Sequence, residues 1–347
     1  MSSDSHPLNS QQSDTVTSNT VTSRDDVMEG ASRRADRLMT EEIEDAVQPL
    51  FKVNRALGWG RLLLLLLPAL ACLVMYIREP YLPLAVLWLL AAAVFYGFVM
   101  ISTHDISHAS LLDLGNAEQA LGCALSWPVA WPYRTYRNLH QLHHRMNGMD
   151  LRDPERREPS EEELARAGWW RRLHFSHPFW LSVLVLGGIQ LIGSMFWFGW
   201  KLRDSHSRLI GGLVSDGIGI LVVQAAMFTW AIGHGQLIKL LLMLVVVERV
   251  VGALMQVRGM IEHHGIWKRF STYELTQLYS SRNIEASPLV NLLMGGLPHH
   301  SLHHAYPSIP YDKLPQATLI AEEVLSRNGH PPLPKLNSYA EGVALLL

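Results

Sequence analysis

The sequence predicts an all-α integral membrane protein with about four transmembrane helices in two hairpins, interfacial helices and a cytoplasmic histidine-rich cap. Hydrophobic residues make up 48% of the 347-residue chain, and the charged residues fall mostly outside a few long apolar runs. That segregation is typical of helices that cross a bilayer. The cap is predicted because 11 of the 17 histidines fall in four short segments, at residues 104–108, 140–144, 263–264 and 299–304.

Composition along the chain predicts three parts. Residues 1–45 are dominated by Ser, Thr, Asp and Gln, and we expect a disordered N-terminal tail there. Residues 46–320 are expected to form the membrane domain, and residues 321–347 a C-terminal cytoplasmic segment. The 29 basic and 31 acidic residues leave no basic excess, which argues against a nucleic acid partner.

Five apolar runs approach the ~20 residues that a membrane-crossing helix needs; they are residues 61–77, 82–102, 179–199, 212–232 and 236–256. The first two are predicted to form one hairpin and the last two another. Arginines are frequent in residues 103–178 and in the flank before the first run. By the positive-inside rule, the N-terminus and the histidine site should face the cytoplasm, in the inner (cell) membrane if the protein is bacterial.

A parity argument refines this topology, because the histidine segments can meet only if an even number of crossings separates them. Three candidate spans lie between residues 144 and 299. We therefore predict that residues 179–199, which contain Gln190 and flanking aromatics, lie in the interface without crossing. The last helix, continued from Gly235 to His264, would be about 45 Å long and would carry Glu262 and His263 out of the membrane.

The histidines repeat a spacing that places several imidazoles on one helical face. His104 and His108 are four residues apart, and the clusters at 140–144 and 300–304 each have histidines at i, i+3 and i+4. This number of imidazoles exceeds what one metal binds and suits two ions. The candidate ligands are His104, His108, His140, His143, His144, His263, His300, His303 and His304, with His299, His264 and Asn147 left open. No catalytic side chain beyond the ligands is predicted.

Two further sets of residues are expected around the metals. Carboxylates that accept the outward N–H of ligating imidazoles should lie behind them; the candidates are Asp105, Asp150, Asp153 and Glu262. Aromatic residues near the first two clusters either line a dry channel beside the metals or form an interfacial belt; they are Trp127, Trp131, Tyr133 and Tyr136.

Ligand type alone does not name the metal, because imidazole suits iron, zinc, copper and nickel. A zinc hydrolase is one alternative, since the segment from His104 to His108 is one residue from His-Glu-x-x-His, but it leaves the other clusters unexplained. Soluble di-iron bundles use paired Glu-x-x-His motifs, which this chain lacks. A non-catalytic metal-binding or metal-transporting membrane protein is the alternative from a different class. Transporters, however, place ionisable residues near the membrane midplane.

At these residues the chain resembles the membrane fatty acid desaturase superfamily, over roughly residues 50–320. His-Asp-Ile-Ser-His and His140-Gln-Leu-His-His are similar to its first and second histidine boxes, and Asn147 and Asp153-Pro154-Glu155 follow as in many members. Arg258-Gly-Met-Ile-Glu-His is similar to a segment that supplies a further ligand. His300-Ser-Leu-His-His is similar to the third box, although Pro298-His299 stands where the family often has Asn-Tyr.

The resemblance implies two non-haem irons, dioxygen and a separate electron-transfer protein of the ferredoxin or cytochrome type. It implies oxidation of a long-chain fatty acyl substrate, first of all by desaturation. Decarboxylation of a fatty acid to a terminal alkene, hydroxylation, and carotenoid ring oxygenation are alternatives within the same superfamily.

Overall fold

The computed structural model describes residues 24–156, 159–177 and 179–347, and nearly all of its regular structure is helical. The long helices are α1 (Arg24–Val47), α2 (Arg55–Arg78), α3 (Leu82–Ser107), α4 (Asn116–Ser126), α5 (Tyr133–Met146), α8 (Gly187–Lys201), α9 (Arg208–Gly233), α10 (Leu237–His263) and α14 (Leu314–Arg327). Shorter elements are α6 (Glu161–Arg166), α7 (Trp169–Ser176), α11 (Tyr273–Tyr279), α12 (Pro288–Leu293), α13 (His300–Ala305), α15 (Tyr339–Ala344), β1 (Asn283–Ile284) and β2 (Lys335–Leu336). The predicted all-α membrane fold is confirmed.

Local chemistry fixes the first hairpin. Helix α2 begins at Arg55 because the Asn54 side chain accepts hydrogen bonds from the first backbone N–H groups of the helix. It ends just before Pro80, and α3 begins with Pro83 in its first turn, where a missing N–H is tolerated. Helix α3 packs against both α2 and α10. At the far end of the hairpin, Lys239 of α10 donates to the Ile77 carbonyl over 2.6 Å.

Among the described residues, four helices are long and apolar enough to cross a bilayer: α2, α3, the helix Phe179–Lys201 and α9. Helix α10 is as long, with 27 residues, but carries five charged side chains. It runs without interruption to His263, as predicted from its length.

Contacts at both ends of Phe179–Lys201 bear on the prediction that this helix does not cross. Near its start, Val183 packs in one cluster with Met260 and Ile261, which lie in the last turn of α10 before His263. Near its end, Gly199 approaches Thr135 in α5, the helix that carries the second histidine cluster. Helix α9 then begins beside α5, where Asn138 donates to the Arg208 carbonyl. Both ends thus lie near the histidines, which favours an interfacial helix, and the assignment stays a prediction.

The folded part of the chain begins earlier than the expected boundary at residue 46. Residues 1–23 lie outside the described residues, but residues 24–47 form α1. Met39, Ile43 and Val47 are spaced four residues apart on this helix, and all three are buried. They pack against α11 and α14 residues, including Leu275 and Val324. The expectation of a disordered tail rested on average composition, which does not reveal a single apolar face on a helix.

The expected boundary at 320/321 falls inside α14. Ala321, Val324 and Leu325 are buried in the same cluster as α1 and the residues that follow the third histidine cluster. Farther on, β2 pairs in parallel with β1. The C-terminal segment is therefore part of the folded unit.

Candidate metal centre

The nine predicted histidines meet at one end of the helical bundle. His104 lies in the last turn of α3 and His108 caps it, while His263 is the last residue of α10. The second cluster lies in the C-terminal half of α5, and the third forms most of α13. Seven of the nine are buried, and His108 and His263 are partly buried. Four segments far apart in sequence therefore supply one cluster of imidazoles.

The cluster divides into two groups that could each hold a metal ion. The ligand atoms lie within 4.8 Å of one another inside each of three sets of residues, two of which share His263 and form one group together. One group is the set His104, His108, His140, His144 and His303; the other joins the set His143, His263 and His304 to the set Glu262, His263 and His300. The groups adjoin, since the rings of His144 and His304 stack with centroids 4.3 Å apart.

The donor set fits metal binding. The Nε2 atoms of His104, His108, His303 and His304 are buried and make no hydrogen bond within the described part of the chain. Leaving a buried polar atom without a partner costs about 1–3 kcal/mol, so such atoms call for a ligand. Nitrogen donors of this kind suit iron and other transition metals. The residues present therefore fit two ions.

The electrostatics favour the ligating form of these side chains. Burial lowers the pKa of His140, His303 and His304 well below the ordinary value, and neighbouring imidazoles lower it further. Burial likewise lowers the pKa of His144 to about 3. These four imidazoles are therefore neutral at physiological pH, which is the state in which histidine binds a metal.

Three of the four predicted carboxylates contact histidines of the cluster: Asp153 and Asp105 contact Nδ1 atoms, and Glu262 contacts an Nε2 atom. Both oxygens of Asp153 lie 2.9–3.0 Å from His143 Nδ1. Asp105 Oδ1 lies 3.2 Å from His104 Nδ1. Glu262 Oε2 lies 3.3 Å from His300 Nε2 and accepts a 2.8 Å hydrogen bond from Arg258.

Asp150, the fourth predicted carboxylate, contacts Arg152 and no histidine of the cluster in the described part of the chain. Its carboxylate accepts hydrogen bonds from the neighbouring Arg152 over 2.6–3.1 Å. Instead, Glu155 Oε1 lies 2.9 Å from His140 Nδ1. Glu155 is the last residue of the Asp153-Pro154-Glu155 segment that the sequence analysis singled out. The local sequence, however, does not show which carboxylate of this loop points toward the histidines.

The three residues left open have different surroundings. His299 lies outside both groups, and its Nδ1 lies 2.9 Å from Thr318 Oγ1. His264 also lies outside them and lines a neighbouring cavity. Asn147 Nδ2 donates to Ser280 Oγ over 3.1 Å, beside the cluster.

Sequence reasoning also missed Gln277, which lies behind the third histidine cluster. Its Oε1 lies 3.1 Å from His304 Nδ1. It belongs to α11, which has no histidine, so no motif marked it.

A cavity of about 610 Å³ adjoins the cluster, between α5, Phe179–Lys201 and α10. Tyr136 and Glu155 line it and also touch the cluster, because the Tyr136 ring stacks on His140 at 5.2 Å between centroids. Leu191, Met195 and Phe198 form much of its apolar wall. Of the four aromatics considered for a channel, Trp131 and Tyr136 line this cavity.

Comparison with known proteins assigns the family. The model of the family described as "Fatty acid desaturase" matches residues 80–333, which include all nine histidines. The chain belongs to the fatty acid desaturase family. The resemblance inferred from the histidine boxes is thereby confirmed.

Relatives are similar at low identity. The chain is 28% identical over 102 residues to an sn-1 oleoyl-lipid 12-desaturase of Picosynechococcus sp., covering 29% of each chain. It is 23% identical over 275 residues to a probable fatty acid desaturase of Sorghum bicolor, covering 74% of this chain and 70% of that one. It is 25% identical over 114 residues to a chloroplastic omega-6 fatty acid desaturase of Spinacia oleracea, covering 33% of this chain and 25% of that one.

Proposed function

We propose that this protein is a membrane enzyme that uses two irons and dioxygen to introduce a double bond into a long-chain fatty acyl group. The observation that carries the proposal is the convergence of nine imidazoles, seven of them buried, in two adjoining groups, in a chain of the fatty acid desaturase family. When bound, the irons supply the reduction of dioxygen and the removal of hydrogen from an unactivated C–H bond.

The protein's own residues have three tasks in this proposal. One iron would be held by His104, His108, His140, His144 and His303, and the other by His143, His263, His300 and His304. Asp105, Asp153 and Glu155 orient the imidazoles through their contacts with Nδ1 atoms, and Glu262 lies beside the His300 Nε2. The buried setting excludes water from a reaction that water would divert.

We assign the acyl chain to the 610 Å³ cavity, because it is the space that reaches Tyr136 and Glu155 beside His140. Its size falls in the range typical of small-molecule sites, and its wall is mainly apolar. The name of the Picosynechococcus relative, an oleoyl-lipid desaturase, supports an acyl lipid as the substrate class.

Electrons must reach the irons from another molecule, and we propose a separate ferredoxin-type or cytochrome-type protein. The arginines of residues 103–178 support docking of this protein at the histidine end of the bundle. They also support a cytoplasmic orientation for the site and the N-terminus, in the inner membrane if the protein is bacterial.

The test is product analysis with the purified protein, an electron donor system and a panel of acyl lipids, with and without oxygen. Mass spectrometry should find an internal double bond in aerobic samples alone. A chain one carbon shorter, an added oxygen or a modified carotenoid would instead indicate decarboxylation, hydroxylation or carotenoid oxygenation. His303→Ala should abolish the product and His299→Ala should preserve it. Absence of oxygen consumption with every substrate would refute the proposal.

A further inference from the structure

Arg61 lies in the first membrane helix, and the sequence gives no motif for it. Its side chain is wholly buried, on a helix whose Leu62 and Leu65 are buried as well. A guanidinium in such a place is costly unless its donors are satisfied, and ionisable residues kept inside membrane helices commonly serve function.

Arg61 is held on several sides. Its Nη1 donates to Asp105 Oδ2 over 2.7 Å, and its Nε donates to the Leu292 carbonyl over 2.7 Å. Its Nη2 donates to the Leu293 carbonyl over 3.3 Å, and its guanidinium lies 5.0 Å from the centre of the Tyr311 ring. The hydrogen bonds join α2 to two other parts of the chain, and each of those parts leads to histidines.

The first of these parts is the end of α3. Asp105 uses its other oxygen, Oδ1, to contact His104 Nδ1 at 3.2 Å, so that one carboxylate lies between Arg61 and His104. With Nδ1 engaged in this way, Nε2 is the His104 atom left for a metal, and it is buried without a hydrogen bond in the described part of the chain.

The second part is the end of α12. The Leu292 and Leu293 carbonyls close this helix, and the turn that follows leads to His300 and His303. Gly295 in that turn has φ +64°, and a Cβ there would lie 2.8 Å from Arg61 Nη2 and 2.9 Å from Asp105 Oδ2. The turn is therefore packed directly onto the Arg61–Asp105 pair.

We infer that Arg61 is a positioning residue that holds the first and third histidine clusters at the spacing needed for His104 and His303 to share one metal. This inference rests on the proposed function. A comparable pair, Arg258 and Glu262, lies beside the other group of histidines. Arg258 and Glu262 belong to one helix, whereas Arg61 and Asp105 come from two.

The test measures iron rather than turnover. Wild type, Arg61→Met, Arg61→Lys and the double variant Arg61→Met/Asp105→Asn are purified in detergent and loaded with ferrous iron. Iron per chain, its rate of release to a ferrous chelator, Mössbauer spectra and the thermal midpoint are then compared. Arg55→Gln is the matched control, because Arg55 lies on the same helix, is largely exposed and contacts the Leu112 and Asp113 carbonyls.

Arg61→Met should release one of its two irons about tenfold faster or more, with loss of one Mössbauer component. Arg61→Lys should be intermediate, because it keeps the charge but loses the forked geometry. The double variant removes the unpaired buried charge, so its thermal midpoint should recover while fast iron release persists. Arg55→Gln should match wild type.

The inference is overturned if folded Arg61→Met holds both irons at the wild-type release rate. It is also overturned if the double variant regains both stability and iron retention, since the role of Arg61 would then be structural alone. If Arg61→Met does not fold, Arg61→Lys decides by the same comparison of release rates. A wild-type chain that binds no iron would refute the proposed function as well, so the two failures are distinguishable.

Discussion

Asp153 offers a quantitative test of how the carboxylates support the metal centre. Its side chain is fully buried, and both of its oxygens contact His143 Nδ1. Loss of a carboxylate behind a ligating histidine typically weakens metal binding ~10- to 100-fold. That range corresponds to about 1.4–2.7 kcal/mol of binding free energy. We expect Asp153→Asn near the lower limit, because one acceptor oxygen is kept, and Asp153→Ala near the upper limit.

The assay is titration of metal-free protein with ferrous iron against a competing chelator. Glu155→Gln should have a smaller effect than Asp153→Ala, because the Glu155 side chain is 26% exposed and makes one contact with His140. Asp150→Asn is the matched control in the same loop and should bind iron like wild type, because its carboxylate faces Arg152. Equal affinities for Asp153→Ala and wild type would refute the reasoning, as would a loss in Asp150→Asn as large as that in Asp153→Ala.

Three other predictions concern stability and topology. Burial lowers the pKa of His144 to about 3, so below pH 6.5 the unfolded chain takes up a proton at this residue that the folded chain does not. The free energy of unfolding of the metal-free protein should therefore fall by ~2 kcal/mol by pH 5 because of His144. Thermal unfolding in detergent measures this loss. A midpoint unchanged between pH 7 and pH 5 would contradict this. Gly252→Ala should lower the free energy of unfolding by ~1–3 kcal/mol, because the new Cβ would lie 2.0 Å from the Gly188 nitrogen. Gly217→Ala should not lower it, because a Cβ at Gly217 would have open space around it. Equal thermal midpoints for these two variants would argue against close packing of α8 on α10. Cysteines introduced at Arg152 and Lys201 should react with impermeant reagents from the same side of the membrane, and labelling from opposite sides would show that Phe179–Lys201 crosses.

Much of the fold was predictable because the signals are local. Each apolar run became a helix, and α10 ran without interruption to His263 as its length predicted. The errors came from averaging composition over long segments. Residues 24–47 are polar on average, yet Met39, Ile43 and Val47 form one buried face. In the same way, the expected boundary at 320/321 ignored the buried residues that follow it in α14.

The candidate site likewise has a part that the sequence predicted and a part that it did not. Imidazoles spaced three and four residues apart had to share a helical face, and all nine predicted histidines entered the two groups. The surroundings were harder to predict. Asp150 and Glu155 lie five residues apart in one loop, and only the path of that loop turns Glu155 toward His140 and Asp150 toward Arg152. Arg61 and Gln277 belong to helices without histidines.

By itself, the sequence determined the long apolar helices, the family and the identity of the clustered histidines, because apolar runs and motif spacing depend on residues close together along the chain. Tertiary structure alone decided how the imidazoles divide between two groups, and which carboxylate, amide or guanidinium stands behind each of them. The residues that meet there can be far apart in sequence: Arg61 and Leu292, which share a hydrogen bond, are separated by 231 residues. Their meeting depends on how the helices pack, and no local pattern encodes it.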